Sequence, residues 1–194
     1  MPSYHSIGFA PNFPEVTVFA SYYSGISSET LKTVKSELVS GNKEYDYCFV
    51  STTHLISLEQ LCCSLHRSIQ NRELQRMKAK TINTEILYNL SPTNNINEAL
   101  KRFGVDETRS DIIVLKVLQA ADATKSALET IDSDLRSLLG GDSTRNISDS
   151  TLRETVDLKK LFKLFKIQAV NDDAADAQLR YSNDAIAASL LRGC

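Results

Sequence analysis

Pro92 is the residue that leaves this backbone least freedom. It stands in LSPTNNINEALKRFG, residues 90–104, where it removes a backbone donor and pushes Ser91 toward extended geometry. Any regular element arriving from the N-terminal side must therefore stop at Leu90 or Ser91. The letters beyond the proline read as a fresh start. Asn95 is placed to cap a helix, and Glu98, three residues on, is able to reach back to the capping residue's own N–H. Ile96, Ala99, Leu100 and Phe103 then share one buried face, and Gly104 ends the helix.

On either side of that helix, TEILYNL (84–90) and DIIVLKVL (111–118) read as central strands. The result is a strand, helix, strand unit whose pairing order periodicity does not fix. VTVFASYY (16–23) comes after a Pro11 to Pro14 turn and reads as another strand from its β-branched and aromatic content, with residues 3–9 as a neighbour and 45–51 as a short further strand. Helices are predicted over 28–38, where Leu31, Val34 and Leu38 recur at helical spacing before Gly41, and over 57–76. The latter has Ser57 as its cap and Leu58, Leu61, Cys62, Leu65, Ile69 and Leu74 as its stripe. Three more are predicted over 122–139, 157–167 and 174–191. Between the first two of these, GGDSTRNISDST (140–151) reads as a turn-forming, mobile cluster, so residues 140–150 form a variable loop. The expected fold is mixed α/β of the α+β kind. It is a single domain over 1–194, with a small central antiparallel or mixed sheet flanked by helices and a helical C-terminal part.

With 194 residues, 42% of them hydrophobic, the chain is large enough to bury a real core. A net charge of −2 supplies no global field for nucleic acid or an anionic membrane, so such a contact requires a local patch. Cys48, Cys62, Cys63 and Cys194 contain no C-x-x-C, and His5, His54 and His66 lack metal-ligand spacing. Neither a metal nor a cofactor is expected. There is no signal-peptide pattern and no apolar run near the ~18 residues that span a bilayer, which points to a reduced cytoplasmic or nuclear compartment. Motifs of the G-x-S-x-G and G-x-x-x-x-G-K-[ST] type are missing, so hydrolase and NTPase readings have no residues to stand on. Cys62 and Cys63 with His66 leave one enzyme alternative, a thiol whose pKa is lowered on a helix face. Against it, Cys62 on the apolar stripe is a small buried hydrophobe.

The run Arg76-Met77-Lys78, then TEILYNLSPTNNINEALKRFGV and the strand DIIVLKV, resembles the small non-catalytic subunit of the EKC/KEOPS complex, the kinase-binding CGI family. The closing LLRGC is similar to the ends of its fungal members. The likeness runs in order through nearly the whole chain, while residues 140–150 and the polar NDDAADAQLRYSND depart from the family pattern. The resemblance implies a role in making threonylcarbamoyl adenosine at position 37 of tRNA, with the chemistry on another subunit. It further implies binding to the complex's small atypical kinase/ATPase and, as in archaeal relatives, a grip on the 3′ CCA end of tRNA. Fungal relatives are tied to telomere maintenance as well.

Two surfaces fit those jobs. Arg67, Arg72, Arg76, Lys78 and Lys80 face a single Glu73 within residues 67–80, the one conspicuous basic island in an acidic chain. Phosphates reward local charge through counterion release, and Tyr88 or the amides of Asn94 and Asn95 could meet unpaired bases beside it. The bland alternative is a solvated helix end complementing the macrodipole. The second surface is apolar: Ile186, Leu190 and Leu191, helped by Phe162 or Phe165, would dock on the kinase, and the alternative is ordinary core.

Overall fold

The structure, a computed structural model, describes residues 4–170 and 174–192. Ser3, the expected start of the first strand, lies outside the described residues, as do Gly193 and Cys194 of the tail. In chain order the elements are β1 (His5–Phe9), β2 (Phe13–Ser24), α1 (Ser28–Ser40), β3 (Cys48–Val50), α2 (Leu58–Glu73), α3 (Ile82–Leu90), α4 (Ile96–Phe103) and β4 (Ile112–Gln119). After these come α5 (Lys125–Leu139), β5 (Asp142–Arg145), α6 (Asp149–Thr155), α7 (Leu158–Phe165) and α8 (Ala174–Leu190). The fold is α+β, as the sequence predicts, and every strand pairing is antiparallel. The elements form two compact units, Met1–Val50 with Val105–Ile147, and Ser51–Gly104 with Ser148–Cys194.

The first unit holds the sheet, in the order β1-β2-β4-β3, with β5 also paired to β2. Its spine is the β2 to β4 ladder, unbroken from Val16 opposite Gln119 to Tyr23 opposite Ile112. Residues 18–23 are all buried, so this strand shows β-branched and aromatic content instead of alternation. On one face Phe19, Tyr23, Phe49, Ile112 and Val114 meet Leu31 and Val34 of α1 and Leu128, Leu135 and Leu139 of α5. Leu38, expected on the α1 stripe, is left 37% exposed. The Tyr23 hydroxyl donates to Asp132 of α5 at 2.8 Å, which ties the sheet to that helix through a satisfied buried polar pair. Where β5 closes on the end of β2, a Cβ at Gly141 would lie 2.7 Å from the Ser24 carbonyl oxygen, so only glycine fits.

The second unit corrects the sequence reading. TEILYNL is part of a helix, α3, and the strand, helix, strand unit is instead two helices succeeded by β4. All six residues 85–90 are buried, and a short apolar run buried on every side carries no period that separates helix from strand. The overlooked signals were Thr81, whose hydroxyl oxygen accepts from the Thr84 N–H at 3.2 Å, and the Glu85 and Asn89 pair. Those side chains bond at 3.3 Å because i and i+4 share a helix face. Pro92 still ends the element, now a helix. Residues 140–151 hold β5 and the start of α6, because the Ser and Asp letters that mark turns also cap helices. Ser148 accepts from the Thr151 N–H at 3.2 Å.

The far end of α4 is tightly built. Asn95 caps its start, accepting from the Glu98 N–H at 3.2 Å, while the Glu98 carboxylate turns along the helix to Arg102 at 3.5 Å. At its end the Gly104 N–H returns to the Leu100 carbonyl at 2.9 Å. The buried His54 ring donates from Nδ1 to the Arg102 carbonyl at 3.0 Å and packs on Phe103.

This helix end is open to two tests. A Cβ on Gly104 would sit 2.4 Å from the Leu100 carbonyl oxygen, so Gly104→Ala should lower stability by about 1–3 kcal/mol in urea titration. Burial, the main cause, and the nearby Arg102 charge depress the His54 pKa below its ordinary 6.5. As pH falls through about 6.5 the unfolded chain takes up a proton that the folded chain refuses, so stability is full above that pH and declines below it. The urea midpoint should therefore drop on acidification, and His54→Gln should flatten that slope.

Candidate functional site

Helix α3 ends against Pro92 with its last carbonyls unable to continue the ladder, and such groups need donors from elsewhere. The Ser91 N–H returns to the Tyr88 carbonyl at 3.2 Å, and further donors come from α8 and the turn after it. The Ser189 hydroxyl donates to the Leu90 carbonyl at 2.9 Å. Just beyond α8, the Arg192 guanidinium donates to the Tyr88 carbonyl, to the Ser91 carbonyl at 2.6 Å and to Asn89 Oδ1 at 2.6 Å. It also stacks on the Tyr88 ring, 3.8 Å from the centroid, where cation–π attraction and the α3 dipole both favour a cation. Burial first, and then the Arg67 charge, press its pKa down while Tyr88 and Glu85 offset them; a guanidinium stays protonated regardless.

Two more rungs fix α8 beside α2. Ser57 and Ser182 share a 2.6 Å hydrogen bond, and Arg67 donates to the Leu190 carbonyl at 2.9 Å, capping the end of α8. The inner face of α8, Tyr181, Ser182, Ala185 and Ser189, is small apart from its tyrosine, which permits close approach to α2 and α3. Gln178 secures the earlier part of the helix, donating to the Ile56 and Asp149 carbonyls at 2.7 and 2.8 Å.

The predicted basic island divides accordingly. Arg67 is engaged on α8, and Arg72 pairs with Glu73 at 3.0 Å. Arg76, Lys78 and Lys80 remain exposed, on a turn held from beneath by Glu85. That side chain is 0% exposed and accepts four hydrogen bonds, from the Lys78 and Ala79 N–H groups and from the Asn71 and Asn89 amides. Sequence reasoning missed Glu85, although an acidic residue inside an apolar run is the signal of a buried partner set. Asn94 accepts from the Tyr88 hydroxyl at 3.3 Å, and the Asn95 side chain is occupied as the α4 cap.

The apolar surface divides as well. Phe165 is 6% exposed and packs edge-on against Phe103, inside the unit's own core. Phe162 is half-buried, its ring 4.7 Å from that of Tyr181. Ile186 and Leu190 are half-buried, and Leu191 is 63% exposed. Leu179, hidden in a polar stretch of sequence, is 57% exposed and continues the Ile186 and Leu190 row backward along the same helix flank. A shallow groove of about 390 Å³ lies between the end of α7 and α8, lined by Phe165, Ile167, Arg180, Asp184 and Ala187 among others.

A family model described as kinase binding protein CGI-121 matches residues 23–192. The chain belongs to this kinase-binding family. Among its relatives, a protein of Debaryomyces hansenii is 42% identical over 187 residues, covering 94% of this chain and 95% of the relative. One of Candida albicans is 35% identical over 195 residues, with 94% and 96% covered, and one of Schizosaccharomyces pombe is 29% identical over 157, with 81% and 86% covered. All three bear the name EKC/KEOPS complex subunit CGI121.

The described residues contain no group of three His, Cys, Asp or Glu side chains that could hold a metal ion, and no helix long and apolar enough to cross a membrane. Cys48 is buried; Cys62 and Cys63 are partly so. Burial pushes all three thiols up, and for Cys62 and Cys63 the Glu59 charge adds to the shift. A nucleophilic thiol needs the reverse. Labelling of the native protein with a thiol reagent near pH 7 should be slower than that of free cysteine at all three described positions, and a site that reacts faster would revive the thiol-enzyme alternative.

Proposed function

We propose that this chain is a non-catalytic subunit of the EKC/KEOPS complex that holds the complex's atypical kinase/ATPase with the end of α8 and helps recruit tRNA through the turn carrying Arg76, Lys78 and Lys80. The observation that carries the reading is the apolar row of Leu179, Ile186, Leu190 and Leu191, the first and last exposed and the middle two half-buried, on a helix whose inner face is fastened by hydrogen bonds. A rigid, unpartnered apolar stripe is what a docking helix presents, since little order remains to be imposed on binding. With the groove beside α7, the stripe can contribute to the ~1,000 Å² a stable contact needs. Membership of a kinase-binding family and the KEOPS name of the relatives supply the partner.

The tRNA part rests on charge. Arg76, Lys78 and Lys80 stand on a backbone pinned by Glu85, close in sequence to Tyr88 and Asn94, which suits phosphate contact next to unpaired bases of the 3′ CCA end. Positioning tRNA and kinase together would serve threonylcarbamoyl adenosine formation at position 37, in the cytoplasm and nucleus, and chemistry on another subunit leaves this chain none to perform. The rival reading is a scaffold that binds the kinase without touching tRNA.

One pair of variants separates the two. Leu190→Asp with Leu191→Asp should weaken kinase binding at least about tenfold while sparing tRNA. Arg76→Glu, Lys78→Glu and Lys80→Glu together should weaken tRNA binding and lower its salt slope by about 0.7 per lost phosphate contact while sparing the kinase. Isothermal titration with kinase and filter binding with tRNA at two salt concentrations read the outcome; tRNA affinity unmoved by the charge reversal would leave the protein-only scaffold.

A further inference from the structure

The two proposed surfaces are joined by an unbroken chain of hydrogen bonds, buried at its middle. From the basic turn, the Lys78 and Ala79 N–H groups donate to Glu85 Oε2 at 2.9 and 2.8 Å. The other carboxylate oxygen, Oε1, accepts from Asn89 Nδ2 at 3.3 Å, and Asn89 Oδ1 accepts from Arg192 at 2.6 Å. Asn89 is buried, so neither end of its amide exchanges its partner for water. Its orientation is forced: reversed, its NH2 would face the guanidinium and its oxygen would face the carboxylate. Ser68 holds the same Nδ2 at 2.9 Å, keeping the amide in place.

We propose that Asn89 is a positioning residue that transmits the state of Arg192 to the turn carrying Arg76, Lys78 and Lys80, so that kinase and tRNA affinities are linked. This rests on the reading that α8 takes the kinase and the basic turn takes tRNA. Arg192 is the two-state element. It lies in the turn after α8, next to Leu191, and in the structure it is docked on its three oxygen acceptors and the Tyr88 ring; the other, proposed, state is withdrawn from them. A partner pressing on Leu190 and Leu191 biases that choice. When Arg192 withdraws, Asn89 Oδ1 is left as a buried acceptor without its charged donor. The amide must then turn to find a new one, and in turning it gives up its bond to Glu85. Glu85, left with fewer donors, loosens its hold on the Lys78 and Ala79 backbone. Linkage makes the effect reciprocal, so tRNA on the turn would favour the docked or withdrawn state that the kinase favours, or oppose it by the same factor.

The test uses the full chain and two variants, Arg192→Ala and Asn89→Ala. Hydrogen exchange is read at the Lys78 and Ala79 amides, with the amide of buried Leu65, in α2 of the same unit, as a control for that unit's stability. In both variants the two turn amides should exchange at least about fivefold faster relative to that control. A merely structural loss would speed all three together, and this outcome, like turn amides unchanged in Arg192→Ala, overturns the proposal. Should either variant fail to fold, Arg192→Lys, which keeps the charge but cannot span the three oxygens, decides alone. In parallel, the affinity of an unmodified tRNA transcript is measured with and without saturating KEOPS kinase. The wild-type chain should show a ratio that departs from one by about fivefold or more, and Arg192→Ala should bring that ratio to near one with both partners still bound. A wild-type ratio of one also overturns the linkage. Failure of the wild-type chain to bind either partner would count against the proposed function alone, because the exchange readout needs neither.

Discussion

The second unit depends on how the exposed carbonyls at the end of α3 are satisfied. Pro92 stops that helix abruptly, and no glycine comes after it to fold the chain back onto the helix. The acceptors at Tyr88, Leu90 and Ser91 are met from α8 by Ser189 and Arg192. A guanidinium suits the task, since its fan of donors spans several oxygens at once and its flat face rests on the tyrosine ring. The geometry of α8 is set by this junction. Its inner side is committed to α2 and α3, and Leu179 on its other flank and Leu191 just past its end are left facing outward.

The same economy governs charge. The basic turn stands over a fully buried carboxylate, Glu85, whose four hydrogen bonds come from backbone and side-chain amides. The lysines above it therefore keep their charge for solvent or for a ligand. Elsewhere in the described residues the ion pairs are mostly short-range and exposed, such as Lys125 with Glu129, and contribute little to stability. In the first unit, specificity comes instead from a sheet buried through its centre and from the Tyr23 to Asp132 bond.

Much of this architecture could be read from the letters. VTVFASYY and DIIVLKVL announce strands by β-branched content, and the caps at Ser57 and Asn95 lie where their side chains predict. TEILYNL misled because full burial erases the periodicity that separates helix from strand, and only its Glu and Asn, four apart, held the answer. The candidate sites were legible in composition but not in detail. Arg67 and Phe165 look like surface residues in one dimension and are engaged within the unit in three. Glu85, Leu179 and Arg192 take part in the site through partners that lie far off in sequence, which no local window displays.

The order in which the chain is threaded has a consequence for its synthesis. Residues 51–104 cannot complete their unit when they emerge, because α6, α7 and α8 come only after the intervening stretch of the other unit. Until Arg192 arrives, the end of α3 keeps bare carbonyls and α2 keeps an uncovered side, features that chaperones and proteases read as unfinished. The helix proposed to meet the partner is also the one that closes the unit. A truncated or nascent copy would therefore lack both stability and a docking face, and assembly would be confined to chains translated through their last helix.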